Sequence, residues 1–125
     1  MKHLLDVDLL IACAVKSHTS HAKGSAWMAG KEMVVCPLSE LGFLRVTTNP
    51  RTVGFTMRDA RAMLDNFVTL NGVHRIPADL DALDSQPPTF SQVTDHYLAD
   101  LAAKHGLKLA TLDAGIKHAS AELVS

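Results

Sequence analysis

Apolar and polar positions along this chain fall into blocks whose period switches between strand and helix. Lys2-His-Leu-Leu reads as a short buried strand, with Asp6 at its carboxyl end. Leu9 to Val15 continues as a helix, and Asp8 stands where it can cap that helix or support Asp6. After a polar break at Lys16-Ser-His-Thr-Ser, a helix from His21 to Met28 carries Trp27 and stops at Gly30, a C′ glycine. Met33-Val-Val-Cys predicts a second strand. Pro37, favoured at the first helical position, opens a helix closed by Asn49-Pro50. Thr56, with Asp59 three residues on, caps a helix reaching Leu70, with Ala60, Met63, Leu64, Phe67 and Val68 turned inward. Val73 to Ile76 predicts a third strand.

The polar, acidic stretch from Pro77 to Pro88 contains a Pro-Pro pair that rules out regular structure there. Thr94 then caps a helix whose Leu98, Ala99, Ala102 and His105 share an inward face. Gly106 turns the chain into a strand from Lys108 to Thr111, Asp113 follows its end, and Ala121 to Val124 supplies an edge strand. Strands separated by helices predict an α/β sandwich with a mostly parallel central sheet. In such sheets ligands bind beyond the carboxyl ends of the strands, where Asp6 and Asp113 both fall.

With 125 residues, 47% of them hydrophobic and 20% charged, the chain is expected to form one domain, residues 1–125. Cys13 and Cys36 are too few for a disulfide scaffold and lack zinc-site spacing, so both read as small buried hydrophobes in a reducing compartment. The apolar run from Leu4 to Val15 is broken by Asp6 and Asp8 and is neither a membrane span nor a signal sequence. The expectation is a soluble cytoplasmic protein with no membrane partner. A net charge of −1 lacks the basic excess of a typical polyanion binder. The basic bias is local: Arg45, Arg51, Arg58 and Arg61 against Asp59, which reads either as a solvated helix face or as a phosphate-contacting patch.

The acids carry the candidate chemistry. Apolar strands rarely end in acid for packing reasons, so Asp6 points to function. Glu40 and Asp95 each lie in the first turn of a helix, where an acid favours the dipole whatever its role. Asp113 also suits a cap. Asp100 follows Asp95 by five residues and is expected on the solvent face. Asp79, Asp81 and Asp84 lack the glycine and glutamate of a calcium loop and are expected to be solvated. His18 and His21 read as surface or interface residues rather than ligands, and Trp27 as core or interface.

Taken together, LLDVDLLIA, CPLSELGFLRVTTNP and TDHYLADLAAKHGLKLATLDAG, with His18, His21 and Trp27, resemble the PIN-domain ribonucleases, and within them the VapC-type toxins of bacterial toxin–antitoxin pairs. The resemblance covers nearly the whole chain. It implies a PIN-like three-layer α/β/α sandwich and a Mg2+- or Mn2+-dependent endoribonuclease that hydrolyses RNA phosphodiester bonds. It also implies a VapB-type antitoxin partner and a homodimer. By motif, Asp6, Glu40, Asp95 and Asp113 match the family's four acids, and Thr111 its hydroxyl residue two positions before the last. Many relatives have asparagine where this chain has Asp8, which leaves Asp8 as a ligand, an orienting group or a cap. Magnesium takes hard oxygen ligands and keeps several waters, so Asp6 and Asp95 are expected to bind it directly while Glu40 and Asp113 hold waters, a second ion or the nucleophile. Arg45 and Arg51 are the candidate phosphate contacts.

Two other readings compete. Asp6-Val-Asp8 also resembles the DxD of haloacid-dehalogenase-type phosphatases, with Asp6 as nucleophile, but that fold needs a lysine motif and a later acidic pair that have no match here. A catalytically silent PIN module acting only by protein binding would have no need of four intact acids. There is no nucleophile elbow around Ser39, no P-loop and no Rossmann glycine run.

Overall fold

The computed structural model describes residues 2–125. Among them, five strands form one sheet: β1 (Lys2–Leu5), β2 (Glu32–Val35), β3 (His74–Arg75), β4 (Lys108–Thr111) and β5 (Ala121–Leu123). Their order is β3-β2-β1-β4-β5, and every neighbouring pair is parallel. The helices are α1 (Val7–Ala14), α2 (His21–Met28), α3 (Pro37–Thr48), α4 (Met57–Leu70) and α5 (Val93–Lys104).

Side chains alternate across a strand, and here each face finds a different helical layer. Leu5, Met33, Val35 and Ala110 pack into a core shared with α1, α3 and α4, including Leu9, Phe43 and Phe67. Leu4, Val34 and Leu109 face the other way, against Tyr97, Leu98 and Leu101 of α5. A parallel sheet covered on both faces needs apolar side chains on both, which is why its strands read as unbroken apolar runs. The expected α/β/α sandwich is therefore the one that forms. Cys13 and Cys36 are both free and buried within it. No helix among the described residues is long and apolar enough to cross a membrane.

The strand order sets the position of the site. From β1 the chain steps outward through β2 to β3, then returns to lay β4 on the opposite side of β1. The sheet's winding thus reverses between β1 and β4, and the crevice beyond their carboxyl ends is where such a fold opens.

Several local details differ from the sequence expectation. α1 begins at Val7, so its N-cap is Asp6 rather than Asp8: Leu9 N–H donates to Asp6 Oδ1 at 2.8 Å. The strand passes into the helix through a single residue, which leaves the cap position to the strand-end acid. α5 begins at Val93 with Gln92 at its N-cap, so Thr94 lies inside the first turn. The preceding 3-10 turn, Phe90–Gln92, feeds straight into the helix and moves its start back. A second short 3-10 turn, Ala82–Asp84, sits ahead of the Pro-Pro pair. Asp100 is not on the solvent face: the segment after β4 folds over it, and His118 Nε2 donates to its Oδ1 at 2.7 Å. Asp79 is exposed as expected, and it also accepts from His105 Nε2 at 2.7 Å. The bounds of α2, α3 and α4 agree with the pattern, and Asp59 N–H donates to Thr56 Oγ1 at 3.0 Å as the cap predicted.

Candidate active site

The site is built where the chain leaves β1 and β4. Asp6 is only 3% exposed, because it follows a strand that is buried from His3 onward. Its two oxygens have separate partners. Oδ1 accepts from Leu9 N–H, one of the free donors at the start of α1, and Oδ2 accepts from the Thr111 hydroxyl at the end of β4. The same Thr111 Oγ1 accepts from Asp113 N–H at 3.0 Å. Asp113 Oδ1 in turn accepts from Gly115 N–H at 2.8 Å, which sets the turn out of the strand. Thr111 therefore ties together the backbone that carries the last acid and the side chain of the first.

Asp95 comes to the same place from the opposite layer, in the first turn of α5. Asp6, Asp8, Asp95 and Asp113 line one cavity of about 390 Å³, together with Val7, Ile11, Val46 and Leu112. Sequence positions 6, 8, 95 and 113 thus converge because β1 and β4 are neighbours and α5 packs beneath them.

The electrostatics follow from the crowding. Burial pushes the Asp6 carboxyl up to about 7, against the hydrogen bonds from Thr111 and Leu9 that favour its charge; Asp95 and Asp8 add repulsion. Asp95 is also raised, first by burial and then by Asp113 and Asp8. Burial, with the charge of Asp6 nearby, pushes the Cys13 thiol up to about 12, so it stays protonated and inert. Acids arranged to raise each other's pKa accommodate a cation that relieves the repulsion.

Glu40 occupies a different position. It stands in the first turn of α3, at the same edge of the sheet, but its Oε2 accepts from Arg75 Nε and Nη2 at 3.3 Å each. It lines a neighbouring depression with Pro37, Leu41, Leu44, Arg61, Leu64 and Arg75, outside the cavity shared by the other acids. Arg45 is exposed on α3 and lines a shallow depression with Leu38, Leu41, Gly42 and Thr94, the residue before Asp95. Arg51 is exposed in the turn after α3, where its N–H donates to Asn49 Oδ1 at 2.9 Å.

The histidines hold roles that the apolar–polar pattern does not announce. His18 Nδ1 accepts from Ser20 N–H at 2.9 Å, which leaves its Nε2 to donate to Asp8 Oδ1 at 2.9 Å. His118 repeats this pattern, with Nδ1 accepting from Ser120 N–H at 3.0 Å and Nε2 donating to Asp100. Both rings therefore act as clamps in a fixed tautomer, one on the loop after α1 and one on the loop after β4. The recurring His-X-Ser triplet was the available signal. His21 is structural too, its Nδ1 meeting the Ala12 carbonyl at 2.7 Å. Trp27 is half-buried, with the His3 ring edge-on at 5.4 Å and Lys31 above it.

No family model matches the chain. It is 36% identical to ribonuclease VapC38 of Mycobacterium tuberculosis over 90% of this chain and 86% of that protein. It is 32% identical to ribonuclease VapC39 of the same species over 99% of this chain and 98% of that one. Among solved structures, it is similar to VapBC2 from Rickettsia felis, crystallised bound to a DNA fragment from its promoter. The TM-score there is 0.61 at 10% identity, covering 90% of this chain and 89% of the other, a likeness of fold. With identity at that level along almost its full length, and an acidic crevice at the switch point of its sheet, the chain belongs to the VapC ribonuclease family.

Proposed function

We propose that this protein is an endoribonuclease, the toxin of a toxin–antitoxin pair, and that its acidic crevice hydrolyses RNA phosphodiester bonds with the help of Mg2+ or Mn2+. The observation that carries this reading is the convergence of Asp6, Asp95 and Asp113 on one cavity at the carboxyl edge of the sheet. The donor set suits the ion: all are carboxylate oxygens, the ligands a hard divalent cation takes, and they are crowded enough to resist ionisation without one. Asp6 and Asp95 would hold the ion directly and Asp113 would hold its waters. A bound ion would supply an acidified water and a counter-charge for the leaving oxygen.

The chain's own residues do the rest. The Leu9 N–H and the Thr111 hydroxyl hold both oxygens of Asp6 in one orientation. His18 steadies Asp8 at the rim. Arg45, beside Thr94, offers positive charge to the phosphates flanking the cut, and Arg51 extends that contact along the strand. Glu40 is the fourth acid of the set, held by Arg75. A near-neutral protein thereby approaches a polyanion through local arginines rather than through overall charge. The protein partner is a VapB-type antitoxin, and the toxin itself is a homodimer acting in the cytoplasm.

Inducing the chain in cells and sequencing RNA 5′ ends tests the activity. Wild type should create discrete new ends, and Asp6→Asn or Asp95→Asn should create none. Equal cleavage by a folded Asp6→Asn variant would refute the site. Accumulation of a phosphoaspartate on Asp6 would point instead to phosphatase chemistry.

A further inference from the structure

Away from the acidic crevice, α5 and the loop after β4 bring together a second set of ligating groups. His96 and Asp100 lie one turn apart on α5, with His96 Nε2 3.7 Å from Asp100 Oδ2. His118 comes down from the loop between β4 and β5 and places Nε2 2.7 Å from Asp100 Oδ1. The rings of His96 and His118 meet edge to face at 5.1 Å. One ligating atom from each of the three residues lies within 4.8 Å of the others, and their side chains are only 15–25% exposed.

We propose that His96, Asp100 and His118 form a binding site for a borderline-soft divalent cation of the zinc class, distinct from the all-carboxylate site for Mg2+ or Mn2+. Two imidazoles and one carboxylate are a set that zinc, cobalt and nickel take and that magnesium does not favour. Three protein ligands leave a further position for water. The proposal stands apart from the nuclease reading, because none of its ligands belongs to the crevice.

The surroundings supply the remaining hydrogen bonds. Without metal, His118 Nε2 carries the proton that it donates to Asp100. On metal binding at Nε2, the ring's one proton lies on Nδ1. There Ser120 Oγ, 3.0 Å away, can accept it while donating to the Ala99 carbonyl at 2.6 Å. This chain from ring to hydroxyl to helix carbonyl is the outer support that metal-bound histidines use. Ser120 N–H loses its acceptor in the exchange, so the ion competes with an existing clamp rather than filling a ready cage.

The consequence is mechanical. The ion would join α5, which carries Asp95, to the loop that begins at Asp113, where Gln92 Nε2 and the Gly115 carbonyl make a 3.3 Å contact already. Its binding would therefore fix the spacing of two crevice acids from behind.

The test uses the full chain, stripped with a chelator and titrated with Co2+ while visible absorption and the thermal unfolding midpoint are followed. One Co2+ per chain should give the absorption of a nitrogen-ligated site, Zn2+ should displace it, and either ion should raise the midpoint. His118→Ala and His96→Gln should each weaken Co2+ binding at least about tenfold, while Asp113→Asn should leave the signal in place. His96→Gln keeps the test decisive if His118→Ala loosens the loop, because His96 is not part of the clamp. The proposal is overturned if wild type shows no such signal, if His96→Gln retains it in full, or if Asp113→Asn removes it.

Discussion

The hydroxyl of Thr111 donates to Oδ2 of Asp6, joining residues 105 positions apart at the carboxyl ends of adjacent strands. This bond turns strand neighbours into a site, because it orients the most buried acid and partly offsets the burial that suppresses its charge. Thr111→Val should keep the shape of the side chain and lose the bond. Bonds to charged groups contribute about 1.5–3 kcal/mol, and a loss of that size should appear in urea unfolding at pH 8. Asp6 should also ionise at higher pH, moving the acid limb of the RNA-cleavage profile upward. Thr111→Ser should restore both. An unchanged pH profile in Thr111→Val would mean that the bond only packs the strand ends.

Metal-free stability should depend on pH in an unusual direction. In the folded chain the Asp6 carboxyl is pushed up to about 7 from its ordinary 3.8, so between those values the native state holds a proton that the unfolded chain has released. Stability should fall as pH rises through that window, by an amount on the order of 4 kcal/mol, with Asp95 contributing in the same sense. Asp79 and Asp100 are shifted the other way, Asp79 chiefly by its hydrogen bond from His105, and Asp100 by His118 against the pull of burial. Their contributions should be lost only as pH drops below the normal carboxylate range. Asp6→Asn should flatten the slope between pH 4 and 7 and stabilise the chain at pH 8, as chemical denaturation can measure.

Divalent cation and Asp6 charge should be linked. Mn2+ titrated calorimetrically at pH 8 should bind wild type and raise its unfolding midpoint. Asp95→Asn and Asp113→Asn should each bind more weakly, and RNA cleavage should fall by at least about a hundredfold for Asp95→Asn. Removing the ion with a chelator should abolish cleavage and leave the circular dichroism of the fold in place.

Glu40 and Arg75 separate a structural role from a chemical one. The Arg75 side chain is 56% exposed, so the pair should contribute no more than about 1 kcal/mol. Glu40→Gln should therefore hardly change stability. If Glu40 serves as the fourth acid, cleavage should nevertheless drop, and Arg75→Ala should not reproduce that drop. Equal effects of the two variants on cleavage would make Glu40 a salt-bridge residue only.

Gly42 sets how closely α3 approaches α1. A Cβ there would lie 2.4 Å from Val7 Cγ2 and 3.1 Å from Cγ1, and Val7 sits between two acids on the cavity wall. Gly42→Ala should destabilise by about 1–3 kcal/mol and weaken cleavage by displacing that wall. Adding Val7→Ala should recover part of both losses.

The chain by itself determined the alternation of strands and helices, the helix starts at Pro37 and just after the Thr56 cap, and the three-layer class, because these follow from local periodicity and capping. It also marked Asp6, Asp95 and Asp113, since acids at strand ends and helix starts stand out against apolar runs. Position alone did not say which acids share a cavity. That was decided by β4 lying beside β1, which brings Asp6 and Asp113 to one edge, and by α5 packing beneath with Asp95. The α1 cap fell on Asp6 rather than Asp8 because β1 passes straight into the helix, whereas tertiary structure paired Glu40 with Arg75, 35 residues away. It also brought His118 onto the half-buried Asp100. The Glu40 and Asp100 pairings each depend on a partner distant in sequence, and a hydrogen bond between distant residues leaves no periodic trace in the chain that makes it.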